Sequence, residues 1–166
     1  MKALVVYYSF EGNTRLIAHA IAEAIGADLL ELEPKKEIGT HGFMKYVWGG
    51  RQVVLKRKPA LLPLDKQPQD YDLLFIGTPV WAYSYSPPIR TFFSTANLRG
   101  KKIALFCCHG GDKRRTLEKM RESLPGNDIV GEIDFVEPLS RDKDASVRRA
   151  RDWAQDIVSR LVHDGA

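Results

Sequence analysis

Cysteine is nearly absent. The 166-residue chain has two, Cys107 and Cys108, side by side. Adjacent thiols exclude a disulfide framework and a cysteine-rich zinc site, and reduced thiols suit a cytoplasmic protein. No apolar stretch approaches the ~18 residues of a membrane span. Met1-Lys2 leads straight into a strand-like run, so neither a membrane anchor nor a leader is expected. Two glycine fingerprints are missing as well. There is no G-x-G-x-x-G, and no lysine follows Gly12, which excludes the dinucleotide turn and the nucleoside-triphosphate loop. The sequence carries no internal repeat and no low-complexity tract.

What is present is ordinary globular material. Hydrophobic residues make up 44% and charged residues 28%, and the length suits one domain. The net charge of +4 is local in origin. Residues 35–66 carry Lys35, Lys36, Lys45, Arg51, Lys56, Arg57, Lys58 and Lys66 against Glu37 and Asp65, a local charge of +6. Such a segment suits an acidic protein partner or an anionic substrate, or it is a solvated face. No aromatic-interleaved basic stripe or nucleic-acid motif accompanies it, so nucleic acid is not expected.

Five apolar runs read as strands. Residues 3–8, 73–76 and 103–108 are nearly continuous, as in strands covered on both faces. Residues 29–32 and 129–136 alternate with Glu31, Glu33, Glu132 and Asp134, which marks sheet edges. Helical patterns lie between them: residues 14–25, a segment opened by Pro88, one carrying Leu117, Met120 and Leu124, and a last one striped by Ala150, Trp153, Ala154, Ile157 and Leu161. A weaker pattern covers residues 43–58. Strands alternating with helices predict an α/β fold, a five-stranded parallel sheet with helices on both faces. The simplest order with runs two and five outside is 2-1-3-4-5. Ligands of open α/β sheets bind where the strand order reverses, outside the carboxyl ends of the strands.

Three loops fall at that crevice. The first is Ser9, Phe10, Glu11, Gly12, Asn13 and Thr14, where a tight turn supplies hydroxyls and amides without a fixed cation. Free N–H groups at a helix start suit a single phosphate; equally, Asn and Thr are ordinary helix caps. The second runs from Thr78 through Pro79, Val80, Trp81, Ala82 and Tyr83 to Pro88. Its aromatics fit a planar ligand stacked on Trp81, or packing over the sheet end. The third is Cys108, His109, Gly110, Gly111 and Asp112, whose glycines permit close backbone approach. Phosphate cradle, aromatic and glycine loop together describe a flavin mononucleotide pocket.

With these residues in view, the chain resembles the flavodoxin-like family, whose strand order is also 2-1-3-4-5. Residues 8–14 resemble its phosphate loop. Gly77-Thr78-Pro79-Val80-Trp81 resembles the loop lining the isoalloxazine ring. Cys108-His109-Gly110-Gly111 corresponds by position to the third flavin loop. The resemblance spans residues 1–166 as one domain and implies FMN as cofactor. It implies phosphate bound by Ser9, Asn13 and Thr14, with backbone N–H groups from Phe10, Glu11 and Gly12. It sets residues 78–81 against the ring, with Trp81 on one face, and 108–111 at the pyrimidine edge. Glu11 replaces a usual threonine, Ala82 stands where many members have glycine, and His109 stands where a tyrosine is usual.

The implied role is low-potential electron transfer to a redox protein. The alternative is an NAD(P)H-dependent reductase of a small quinone-like acceptor, a branch in which dimerisation often completes the pocket. No catalytic acid or base stands out; His109 is the one candidate, and His41 falls on the crevice side. His19 and His163 read as surface or structural residues on helices. Two readings of other classes remain. Cys108 and Arg114 have the Cys-x5-Arg spacing of cysteine phosphatases. A cofactor-free interaction module would use only the basic segment.

Overall fold

A computed structural model describes residues 1–35 and 58–163. The expected helix at 43–58, His41 and most of the basic segment lie outside those residues. The strands are β1 (Ala3–Tyr7), β2 (Asp28–Glu31), β3 (Leu73–Trp81), β4 (Ser84–Tyr85), β5 (Lys102–His109) and β6 (Asp128–Val136). The helices are α1 (Asn13–Ile25), α2 (Pro87–Thr95), α3 (Thr116–Glu122) and α4 (Lys143–His163), with a short 3-10 turn at Pro68–Asp70. Five strands are parallel in the order β2-β1-β3-β5-β6, the order expected, with short β2 and half-covered β6 at the edges.

Alternation along each strand builds two apolar layers. Leu4, Val6, Leu74, Ile76 and Leu105 face one way and meet Ile89 and Phe92 of α2 and Leu117 and Met120 of α3. Val5, Phe75, Ala104 and Phe106 face the other way, onto Ile17 and Ile21 of α1 and Ala150, Ala154 and Ile157 of α4. Burying each large side chain contributes roughly 1.5–3 kcal/mol, so the central strands hold the crevice on a stiff base. Among the described residues, no helix is long and apolar enough to cross a membrane.

The sheet has six strands, not five. β3 runs on to Trp81, so the stretch expected as a loop from Thr78 begins as strand. It then folds back through Ala82 and Tyr83, and β4 pairs antiparallel with its end, Val80 opposite Tyr85 and Trp81 opposite Ser84. Both turn residues have positive φ, +46° and +63°, the combination of a two-residue I′ hairpin. That turn is usually written with Asn or Gly. Here it is written Ala-Tyr, flanked by Pro79 and Pro87, so the sequence gives no hairpin signal.

Candidate functional site at the carboxyl ends of the strands

A cavity of about 500 Å³ opens at the carboxyl end of the sheet, within the roughly 300–1,000 Å³ of small-molecule sites. Of the first loop, Ser9, Phe10, Glu11, Asn13 and Thr14 reach its wall. Gly12 turns the chain into α1 at φ +93°, a left-handed conformation that favours glycine. The Ser9 hydroxyl accepts the Arg15 N–H at 3.2 Å. Among the described residues no protein acceptor meets the N–H groups of Asn13 and Thr14, which leaves them for an anion at the helix start. Arg15 supplies no charge there, because its guanidinium is held by Glu31 at 2.6 and 3.2 Å.

The aromatic wall comes from the β3–β4 hairpin. Pro79, Val80, Trp81 and Ala82 line the cavity. Trp81 is only 8% exposed and stands edge-on to both Tyr8 and Phe10, each at 5.6 Å between ring centres. It therefore serves the core and the cavity together. Thr78 is buried behind the wall, where its hydroxyl accepts the Ser86 N–H at 3.0 Å and ties β3 to the start of α2. Tyr83 is half-exposed at the hairpin tip, 5.2 Å from the Arg114 guanidinium.

Cys108, His109 and Gly110 form the third wall, while the expected Gly111 is exposed and does not line the cavity. The Gly111 N–H donates to His109 Nδ1 at 3.3 Å, so the imidazole carries its proton on Nε2 and donates it to Asp134 Oδ2 at 3.0 Å. Lys113 Nζ donates to the other Asp134 oxygen. Burial alone would raise the Asp134 pKa, but the hydrogen bonds from His109 and Lys113 outweigh it and hold the carboxylate below its ordinary range. Both imidazole nitrogens are engaged, so His109 fixes the third loop and offers no free acid or base.

A fourth wall escaped the sequence reading. Glu137, Leu139 and Ser140 follow β6 and line the cavity as well. The Leu139 N–H donates to Asn13 Oδ1 at 3.0 Å. With that oxygen occupied, the Asn13 amide is oriented to offer its NH₂ as donor. The signal was the topology itself. In a parallel sheet every βα loop leaves on the same side, including the one after the edge strand.

The four walls fit a flavin nucleotide, because they combine unfilled N–H donors at a helix start with an indole, Phe10 and a proline. A sequence model of the flavodoxin family, described as "Flavodoxin", matches residues 2–143. The chain belongs to the flavodoxin family. This flavodoxin-family chain is 26% identical over 115 residues to an uncharacterised protein of Archaeoglobus fulgidus, covering 68% of this chain and 69% of the other. Its fold is similar to a Bacteroides uniformis protein described as a presumed flavoprotein (TM-score 0.75, 23% identity, 89% of this chain and 96% of that one). It is also similar to a Lactobacillus acidophilus flavoprotein solved in complex with FMN (TM-score 0.65, 24% identity, 86% and 97%). At those identities the likeness concerns the fold.

Within this flavodoxin-like frame the phosphatase reading fails. That chemistry needs a thiolate with a depressed pKa beside an arginine. Burial pushes the Cys108 thiol up to about 12, against a partly compensating hydrogen bond from Thr14, and burial raises Cys107 too. Arg114 is turned to Asp112 at 2.8 Å and to the Tyr83 ring, not to a thiol. Native protein at about pH 8 is therefore expected to leave both thiols unreacted with a disulfide reagent, and denaturation should release two per chain. Rapid native labelling of Cys108 would bring the thiolate back.

Proposed function

We propose that this chain binds FMN and serves as an electron-transfer flavoprotein. The observation that supports it most is the cavity's polarity along its length, from the amide-lined turn at Gly12 to the aromatic hairpin at Trp81. FMN, when bound, supplies one- and two-electron redox chemistry. The chain's own residues would do the rest. The N–H groups of Asn13 and Thr14 and the Asn13 amide would hold the phosphate, Trp81 and Pro79 would flank the ring, and the Gly110 backbone would meet its edge. Glu11, though it lines the cavity, is exposed, so water screens its carboxylate from the phosphate.

Carrier work is favoured over hydride-driven turnover because the imidazole in the wall is committed on both nitrogens. An electron carrier needs no proton donor of its own. The basic stretch 35–66 suits an acidic redox protein as partner.

Titration of the apoprotein with FMN, followed by quenching of flavin fluorescence, is the direct test. Saturable 1:1 binding is expected, with no steady-state oxidation of NADH or NADPH in the presence of a quinone. Absence of binding overturns the cofactor assignment. Sustained nicotinamide turnover would move the protein to the reductase class.

A further inference from the structure

We infer that Asp134 is a positioning residue for the cavity, acting through His109, so that protonation of this imidazole releases the third wall. The inference rests on the FMN reading above, but its first test needs no flavin. Asp134 lies on β6 outside the cavity wall, whereas His109 and Gly110 line it.

The hydrogen bonds run in one direction only. Asp134 Oδ2 accepts at 3.0 Å and has no proton to give, so it requires the proton on His109 Nε2. Nδ1 is then a bare acceptor, and it takes the Gly111 N–H at 3.3 Å. That N–H shares a planar peptide with the Gly110 carbonyl, so the bond also aims the carbonyl of a residue that lines the cavity. Packing restrains this peptide little. A Cβ at Gly111 would meet nothing within 4 Å, and one at Gly110 would meet only Glu137 Oε1, at 3.6 Å. Both glycines are exposed.

A second proton on the imidazole goes to Nδ1. Two N–H donors then face each other, and the Gly111 bond is lost. The bond to Asp134 survives and gains charge assistance, so the ring stays and the loop moves. Asp134 remains a carboxylate: burial opposes its charge, but the bonds from His109 and Lys113 hold its pKa below the ordinary range. Among the described residues no other charged side chain bonds to the imidazole. Lys113 donates to Asp134 Oδ1, and the Arg149 guanidinium donates to the Asp134 carbonyl at 3.0 Å. Glu132 pairs with Arg121, Asp112 with Arg114, Glu118 with Arg115 and Glu137 with Arg141. Glu11 lines the same cavity but is exposed, and β3 carries no ionisable side chain. The thiols of Cys107 and Cys108 stay neutral because burial raises them.

Long-range proton–nitrogen NMR spectra of the apoprotein read the first step. The neutral ring is expected to carry its proton on Nε2, and the Gly111 amide signal should shift in step with the ring nitrogens on acidification. A neutral ring protonated on Nδ1, or a Gly111 amide indifferent to the ring, overturns the inference. FMN titrations read the second step. Affinity should fall about fivefold over the same pH interval, as for loss of one neutral hydrogen bond. The FMN phosphate also ionises, at about pH 6, but it does so for every variant, so the ratio to His109→Gln isolates the imidazole. Asp134→Asn keeps an acceptor for Nε2–H and removes the counter-charge, which should move the fall to lower pH. If His109→Gln does not fold, the Asp134→Asn profile decides. An affinity that rises as His109 is protonated, a fall that persists in His109→Gln, or an Asp134→Asn loss equal at every pH each refute the positioning role. Wild-type protein that binds no FMN at any pH refutes the cofactor reading instead, and the spectra still decide for or against the loop.

Discussion

Truncating Trp81 to alanine is expected to lower the unfolding free energy of the apoprotein by about 3–4 kcal/mol, on the scale of buried aromatic-to-alanine changes. As a surface stacking platform the indole could be removed at little cost to the fold. The structure makes it a shared element instead, 8% exposed and braced edge-on by Tyr8 and Phe10. Its loss leaves a void between those rings, under a hairpin whose turn already holds Ala82 and Tyr83 at positive φ. Urea denaturation of the flavin-free protein measures this directly. A change below about 1 kcal/mol would mean that the indole is not packed as described. Trp81→Phe keeps most of the apolar volume, and it is the variant with which to read flavin affinity apart from stability.

Gly77→Ala should cost about 3 kcal/mol, at the upper end of overpacking changes. A Cβ there would lie 2.0 Å from Phe106 Cζ, with two more ring atoms within 2.7 Å. Gly77 sits in the middle of the sheet, opposite Tyr7 on β1 and Phe106 on β5. The Phe106 ring lies against the glycine because no side chain is present, and fully buried neighbours leave it nowhere to go. Phe106→Leu in the same chain should recover part of the loss, since the two sites share one space. Equal stability of Gly77→Ala and wild type in a denaturant titration would refute the contact.

Much of this molecule was legible in one dimension. Continuous apolar runs at 3–8, 73–76 and 103–108 identified the covered strands, and alternation around Glu31 and Glu132 identified the edges. A strand order followed from those two facts, and with it the side on which the crevice opens. The turn at Gly12 was legible too, since a left-handed step into a helix leaves a glycine in the sequence. Three features were not. The β3–β4 hairpin was hidden because its turn uses Ala82 and Tyr83 in conformations that glycine or asparagine usually take. The double duty of Trp81 was hidden because an aromatic next to a crevice has the same one-letter code whether it packs inward or outward. The fourth wall was hidden because Glu137, Leu139 and Ser140 follow an edge strand and form no motif.

The sequence by itself determined the layer architecture, the strand order and the place of the tight turn at Gly12. Periodicity and local backbone preference are properties of short segments and survive without the fold. Only the tertiary structure decided that His109 is committed to Asp134 and Gly111, and that a carboxylate from the last loop faces the cavity. Those outcomes depend on which distant segments share a volume. The pairing of residue 109 with 134, or of 13 with 139, is set by the packing of whole strands and helices.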